Sequence, residues 1–314
     1  MTDVSIVIVT YNRKDLLEQC LHSLKGLKVK AERIVVDNAS TDGTVKMIRK
    51  KFPKVKVIEK AANERFARAN NAGISQAGGR HVFLLNNDTE VRPGVIESLC
   101  EFLDKNNNVG MVGPQLLNPD GSIQPSCHKF PNLWTHCCDM LALDRLFPKV
   151  EILSTTVMAY FDHRTMMEVD HVTAAAVMVR SKALQDIGFF DEALSIYYND
   201  LDLSFRLKSA GWKTIFLPTV QVLHYGGQTA NSLKMSWEFF EEQYKNIFYY
   251  YHKVHGGPVL LLYKLLLLIG FLPRAAYWWG RSFFNDGSGV VSQKRFAVWT
   301  LKLLLAPRSW RMSS

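Results

Sequence analysis

Cysteine is scarce in this chain. Its 314 residues hold five, an odd number with no framework spacing and no C-x2-C pair. A disulfide scaffold and a zinc ribbon are therefore both excluded as organising principles. No G-x-G-x-x-G follows the first apolar run, and G-x-x-x-x-G-K-[ST] occurs nowhere. Those absences argue against a classical dinucleotide site and a P-loop NTPase. The chain also lacks a clean membrane span, which takes about twenty apolar residues. Its longest uninterrupted run, 265–272, lies between Lys264 and Pro273. The opening stretch, MTDVSIVIVTYNR, has no basic n-region, and its apolar part is too short for a signal peptide. A reducing, cytoplasmic compartment is expected, so the sequon-like triplets at 38–40 and 87–89 read as chance matches. Internal repeats and low-complexity runs are missing as well.

What is present begins with an uneven charge. The formal net charge is +9, yet residues 251–314 carry nine Lys/Arg against the single Asp286. The tail is thus +8, and the first 250 residues, with 29 basic and 28 acidic side chains, are almost neutral. A nucleic-acid partner, which needs a basic body, is not expected. The tail is also greasy. PVLLLYKLLLLIGFLPRAAYWWGRSFF (258–284) and KRFAVWTLKLLLAPRSW (294–310) combine apolar runs with sparse cations, tryptophan and tyrosine. Cations meet anionic headgroups, and aromatic rings settle at the boundary, so a membrane surface contacted through 258–310 is predicted. Helices lying in the interface are preferred to a span.

The body alternates. VSIVIV (4–9) is a strand, and helical spacing follows over 14–24. Strands at 33–37, 54–59, 82–85 and 109–113 interleave with helical patterns at 41–52, 65–77 and 92–106. This is an α/β domain with a mostly parallel sheet flanked by helices. In such sheets ligands bind beyond the carboxyl ends of the strands. Three of those ends are polar: Thr10-Tyr11-Asn12, Asp37-Asn38-Ala39-Ser40 and Asn86-Asn87-Asp88. Ser40 and Thr41 read as caps of the following helix. Asp88 fits that role poorly, because the next helix starts several residues later. A hard divalent cation held by Asp88 would supply the counter-charge that a diphosphate needs.

The second half places acids at a helix mouth. In FFDEALSIYYNDLDLSFRLKSAGWKTIF (189–216), Asp202 precedes Arg206 by four, the favourable order for a helical pair. Gly211 is a natural stop. Asp200 has no such partner, and periodicity leaves two roles open: a helix cap or a general base. CHKFPNLWTHCCD (127–139) gathers three cysteines and two histidines without metal spacing, and reads as an acceptor-facing loop.

The ordered set VSIVIVTYNR, VVDNASTDGT, RFARANNAGI, FLLNNDTEV, GFFDEALSIYYNDLDLSFRLKSAGW and VLHYGGQT resembles family 2 glycosyltransferases of the GT-A fold, in particular bacterial rhamnosyltransferase-type members. The resemblance runs over about residues 3–255. It implies a GT-A domain over 1–255, with a nucleotide-sugar half to about 115 and an acceptor half from 116, followed by a membrane-associating helical tail from 256. It further implies a nucleotide-diphosphate sugar donor, Mg2+ or Mn2+, and inverting transfer to a lipid-linked saccharide at the cytoplasmic face of a bacterial plasma membrane. A membrane-bound nucleotide-sugar-binding protein without transferase activity is the alternative. By the same likeness Thr10, Tyr11 and Asn12 would line the nucleoside pocket, and Asp37 would face base or ribose. Asn70, Asn71 and Asn87 would lie by the nucleotide sugar. Asp88 would bind metal, with Asn86 and His224 completing that site, and Asp200 would be the catalytic base. Three positions depart from the pattern: Asn86 replaces the first acid of D-x-D, Asn199 replaces a Glu before the base, and Arg65 stands where Gly is usual.

Overall fold

The computed structural model describes residues 2–226, apart from 155, 157 and 196, then residues 237–281 and Val298. The apolar–aromatic stretch 294–310, Phe283 and the end of VLHYGGQT lie outside the described residues, Val298 aside, as do the side chains of Trp278 and Trp279.

Strands β1 (Thr2–Thr10), β2 (Ala31–Asp37), β3 (Lys56–Glu59) and β4 (Gly79–Asn86) alternate with helices α1 (Lys14–Ser23), α2 (Thr44–Lys51) and α3 (Arg65–Ile74). β5 (Thr89–Val91), α4 (Val95–Lys105) and β6 (Val109–Leu117) follow. Next come the short β7 (Ile123–Gln124) and β8 (Cys127–His128), with α5 (Leu133–Met140) and α6 (Leu143–Leu146). β9 (Met167–Glu168), β10 (His171–Val172), β11 (Ala176–Arg180), α7 (Ser181–Ile187), α8 (Asn199–Ser209), β12 (Lys213–His224) and α9 (Trp237–Arg281) complete the chain.

One ten-stranded sheet runs β3-β2-β1-β4-β11-β6-β12-β5, with β7 on β6 and β9 on β12; β8 and β10 form a separate two-stranded ladder. β1 to β4 are parallel, as the alternating pattern predicts, and β12 is parallel to β6. β11 is inserted antiparallel between β4 and β6.

From Val4 to Val9, β1 is apolar except for Ser5 because both its faces are covered. Val4, Ile6 and Ile8 join a core with α1, α2 and α4, while Val7 enters the core beneath α3, α7 and α8. A third cluster is built by α9 against Leu133, Tyr198 and Leu201. Within α9, Gly256 has non-helical dihedrals (φ 84°, ψ 172°), and Pro258 follows in the first turn of the resumed helix, the position proline tolerates best. Its part from Phe240 to Gly270 is long and apolar enough to cross a membrane by length and composition.

One local expectation is corrected and one strand was not foreseen. Ser40 and Thr41 do not cap α2: the helix starts at Thr44 behind Gly43. Ser40 Oγ instead accepts from the Asn12 N–H (2.9 Å), and Asp42 Oδ1 accepts from the Thr44 N–H (3.1 Å). The stretch after β4 is a two-residue turn into β5, which leaves its neighbour to pair with β12.

Candidate active site

The turn at the end of β4 carries Asn87 and Asp88. The Asp88 side chain is only 9% exposed, and its Oδ1 lies 3.4 Å from Nε2 of His224, the last residue of β12. The ladder explains the meeting. β12 pairs antiparallel with β5, setting His224 opposite Thr89, and the Tyr225 N–H donates to the Asp88 carbonyl (2.9 Å). His224 Nδ1 is 2.7 Å from Gln124 Oε1, and Gln124 Nε2 donates to Asn118 Oδ1 (3.0 Å). The amide oxygen therefore takes the Nδ1 proton and leaves the Nε2 lone pair beside Asp88, the tautomer a metal ligand needs. One carboxylate oxygen and one imidazole nitrogen at this spacing suit a shared Mg2+ or Mn2+ that draws its remaining ligands from phosphate and water. No group of three or more His, Cys, Asp or Glu is placed to hold a metal ion among the described residues. Asn86 stands half-buried at the last position of β4, its backbone N–H bonded to the Ala175 carbonyl (2.8 Å).

The ends of β1 and β2 lie alongside. Thr10 is opposite Asp37 in the ladder, and Thr10 Oγ1 accepts from Asn87 Nδ2 (2.9 Å). Asp37 is buried. Its Oδ2 accepts from the Ser40 N–H (2.9 Å), whereas its Oδ1 has no partner among the described residues. A buried carboxylate oxygen left unpaired calls for an external N–H or O–H donor, and a nucleoside offers both. Tyr11 is 47% exposed beside it. The other asparagines are otherwise engaged. Asn12, at φ 50°, accepts from the Thr41 N–H (2.8 Å) and ties down the 38–42 loop. Asn70 Nδ2 donates to the Phe66 carbonyl (2.9 Å). Asn71 makes a two-way clamp on Phe190, accepting from its N–H and donating to its carbonyl, both 2.9 Å. Arg65 explains its own departure: at φ 64° it occupies the left-handed region that favours glycine, and its guanidinium pairs with Glu242 of α9 (3.0 Å).

Asp200 stands in the first turn of α8. Tyr197 and Tyr198 both take left-handed dihedrals (φ 56° and 60°) immediately before α8 and turn the chain into the helix mouth. Asp200 Oδ1 accepts from the Leu201 N–H (3.0 Å), and Oδ2 faces the Ala174 N–H (3.4 Å) and His171 Nε2 (3.6 Å). Asn199 accepts from the Asp200 N–H (2.9 Å), so it steadies the turn without adding charge. Because Ala175 bonds Asn86 and Ala174 approaches Asp200, two backbone residues connect the acid to the end of β4.

His171 is the residue that sequence reasoning missed. A histidine opening a short apolar strand carries no signal that separates it from core packing. It is buried, its Nδ1 lies 3.2 Å from Ser204 Oγ, and its ring stacks on His128 at 5.4 Å. The Ser204 hydroxyl is also placed to donate to Met111 Sδ (3.9 Å), and His171 Nε2 faces Asp200. Burial holds His171 below the usual imidazole value against the pull of Asp200, and burial together with His171 pushes His128 down to about 4. Both rings are neutral near pH 7.

The model for glycosyl transferase family 2 matches residues 5–163, just over half of the chain. This chain belongs to glycosyltransferase family 2. Among curated relatives of this family 2 glycosyltransferase, the N-acetylglucosaminyl-diphospho-decaprenol L-rhamnosyltransferase of Mycobacterium tuberculosis is 31% identical over 244 residues, 72% of this chain and 77% of that one. Solved structures share the fold. A mannosyltransferase from Pyrobaculum calidifontis, in complex with GDP-Man and Mn2+, superposes with a TM-score of 0.55 at 16% identity, over 95% of this chain and 84% of that one. S. aureus TarS 1–349 gives 0.54 at 17% identity, over 79% and 64%. The sheet is thus the GT-A architecture, with an apolar C-terminal helix added.

Proposed function

We propose that this family 2 glycosyltransferase moves rhamnose from a nucleoside-diphosphate donor to a hydroxyl of a lipid-linked saccharide, with inversion. The observation that carries the reading is that both pairs are tied to one strand end: Asp88, paired with His224, lies two residues past Asn86, and Asp200, beside His171, faces the Ala174 N–H next to the Ala175 that bonds Asn86. The name of the mycobacterial relative, an N-acetylglucosaminyl-diphospho-decaprenol L-rhamnosyltransferase, supports the choice of sugar and of a diphosphate-linked prenyl acceptor. Asp37 Oδ1 would accept from the nucleoside, and the exposed Tyr11 ring would lie against the base. Asp88 and His224 would hold Mg2+ or Mn2+, which when bound offsets the charge of the departing diphosphate. Asp200 would take the proton of the acceptor hydroxyl as its oxygen attacks C1 from the face opposite the leaving group. The Leu201 N–H and His171 keep that carboxylate oriented. Residues 1–255 form the catalytic unit in this reading. The segment from 256 holds the unit on the cytoplasmic face of a bacterial plasma membrane.

The test is transfer by the full chain, using a panel of nucleoside-diphosphate rhamnoses, an N-acetylglucosaminyl-diphospho-prenol acceptor and added Mg2+ or Mn2+. Asp200→Asn should lose about a thousandfold in rate, the scale of a missing general base, while still binding Mn2+ and donor. Asp88→Ala should lose transfer together with Mn2+ binding measured by EPR. Wild-type turnover by Asp200→Asn would remove it from the base role. Donor binding without transfer by the wild type would instead favour a membrane-bound nucleotide-sugar-binding protein.

A further inference from the structure

Large exposed apolar side chains are not scattered over this molecule. Of the fifteen among the described residues, twelve fall in two segments. Six belong to the stretch 133–152 that contains α5 and α6: Trp134, Leu141, Leu146, Phe147, Val150 and Ile152. Six more lie on α9 between Leu261 and Tyr277. On α9 they follow helical spacing at 261, 265, 269 and 272, whereas Leu260, Tyr263 and Leu267 are buried on the inner side. The helix is therefore two-faced, with both faces apolar.

The two segments are packed together. Met140 at the end of α5 lies so close to Gly270 that a Cβ built there would meet its sulfur at 2.0 Å. The His136 ring is 4.4 Å from the Tyr263 ring, and the Tyr251 hydroxyl donates to the Asn132 carbonyl (3.1 Å). α5 thus packs on the inner side of α9, and the neighbouring 133–152 stretch and the outer stripe of α9 hold most of the large apolar side chains left exposed among the described residues.

We propose that residues 133–152 form a second membrane-inserting element, which with the outer stripe of α9 seats the protein on an anionic bilayer. The inference deepens the membrane reading of α9 above. Charge selects the bilayer over a protein partner. Residues 257–281 carry Lys264, Arg274 and Arg281 and no acid, in a tail of +8. Over 129–152 the charges balance: Glu151 pairs with Lys129 (2.7 Å), and the Thr156 hydroxyl donates to Asp139 (3.0 Å). Arg145 and Lys149 stand beside the exposed leucines and Phe147, and cations next to apolar and aromatic side chains suit an anionic interface. The element also sits next to the chemistry. His128, which stacks on His171 behind Asp200, is four residues upstream of Asn132, the residue that caps α5. An acceptor whose lipid stays in the bilayer would meet the base at the edge of this surface.

The test uses the full chain, Cys137→Ser, with an environment-sensitive dye on Phe147→Cys; the other four cysteines are buried. On phosphatidylglycerol vesicles the dye should shift to the blue and be quenched by spin-labelled lipid. Leu146→Glu/Phe147→Glu/Ile152→Glu should weaken vesicle binding at least about tenfold with an unchanged melting temperature. Bound protein whose dye remains in water would overturn the inserting element while leaving α9 as the anchor. A dye shift without lipid, accompanied by a doubled mass, would reassign the surface to a contact between copies. Wild-type protein that ignores the vesicles would overturn both membrane readings. No sugar substrate enters the measurement, so its outcome is independent of the transferase reading.

Discussion

Asp200 collects more neighbours than a carboxylate in the first helical turn ordinarily does. The Leu201 N–H is the usual one; the Ala174 N–H and His171 Nε2 come from a different part of the chain. His171 is neutral and held between Ser204 and the ring of His128, so it acts as a positioning residue rather than a proton store. His171→Phe keeps a ring against His128 and removes the N–H. It should lower kcat about threefold, the scale of one weak polar contact at 3.6 Å, with donor KM within about twofold. His171→Gln, which restores an N–H, should recover part of the loss. Unchanged kcat in His171→Phe would make the contact mere packing. At this scale the sequence told apart only some asparagines. Asp88 and Asp200 stand out in the sequence as candidates because acids at a strand end and a helix mouth lack ordinary partners there. Asn12 and Asn71 look equally functional in one dimension, yet their amides fasten loops whose other halves are 29 and 119 residues away.

Apart from β5, the elements of the first 117 residues were legible in kind and order, though β4 and β6 run several residues longer than the apolar runs that mark them, because alternating strands and helices impose two clear hydrophobic periods. Ladders of two residues such as β7, β8, β9 and β10 carry no period at all, so the segments that bring Gln124, His128 and His171 to the site could not be read. The attachment of α9 to α8 is another long-range feature. The predicted Asp202–Arg206 pair exists, with Arg206 Nε 2.8 Å from Asp202 Oδ2. Lys253 of α9 reaches the other carboxylate oxygen at 2.6 Å, an ion contact without hydrogen-bond alignment, and also Asp191 at 2.7 Å. Burial would raise Asp191, but Lys253, the Ala193 N–H and Tyr249 outweigh it and hold the carboxyl below its usual range. Asp202 is fully buried, so removing one of its cations strands charge in the interior. Lys253→Met should cost about 2–3 kcal/mol, less than a fully buried pair because Lys253 is partly exposed. Urea unfolding at pH 7 reads this directly. A cost under about 0.5 kcal/mol would mean that α9 is attached by its aromatic cluster alone.

For the whole molecule, the uneven charge was the most readable property, and the buried histidines were the least. Nine histidines scattered through a sequence show nothing of burial, yet His81, His128, His136, His163 and His171 are all held below the ordinary imidazole value, in each case chiefly by burial. The sign follows from linkage. Above about pH 6.5 these rings are neutral in both folded and unfolded chains, and their contribution to stability is fully present. As pH falls below that value the unfolded chain takes up protons that the folded chain refuses. Stability then drops until the folded values are reached, near 4 for His128 and His136. Each such ring contributes up to about 1.4 kcal/mol per pH unit within its window. Unfolding free energy from urea titrations should therefore decline between pH 7 and pH 5, before most carboxylates begin to titrate. His136→Phe, which keeps a ring against Tyr263, should flatten that slope by one proton. A slope that is zero in the wild type would mean that these imidazoles accept protons inside the folded protein, and the neutral His171 assigned beside Asp200 would fall with them.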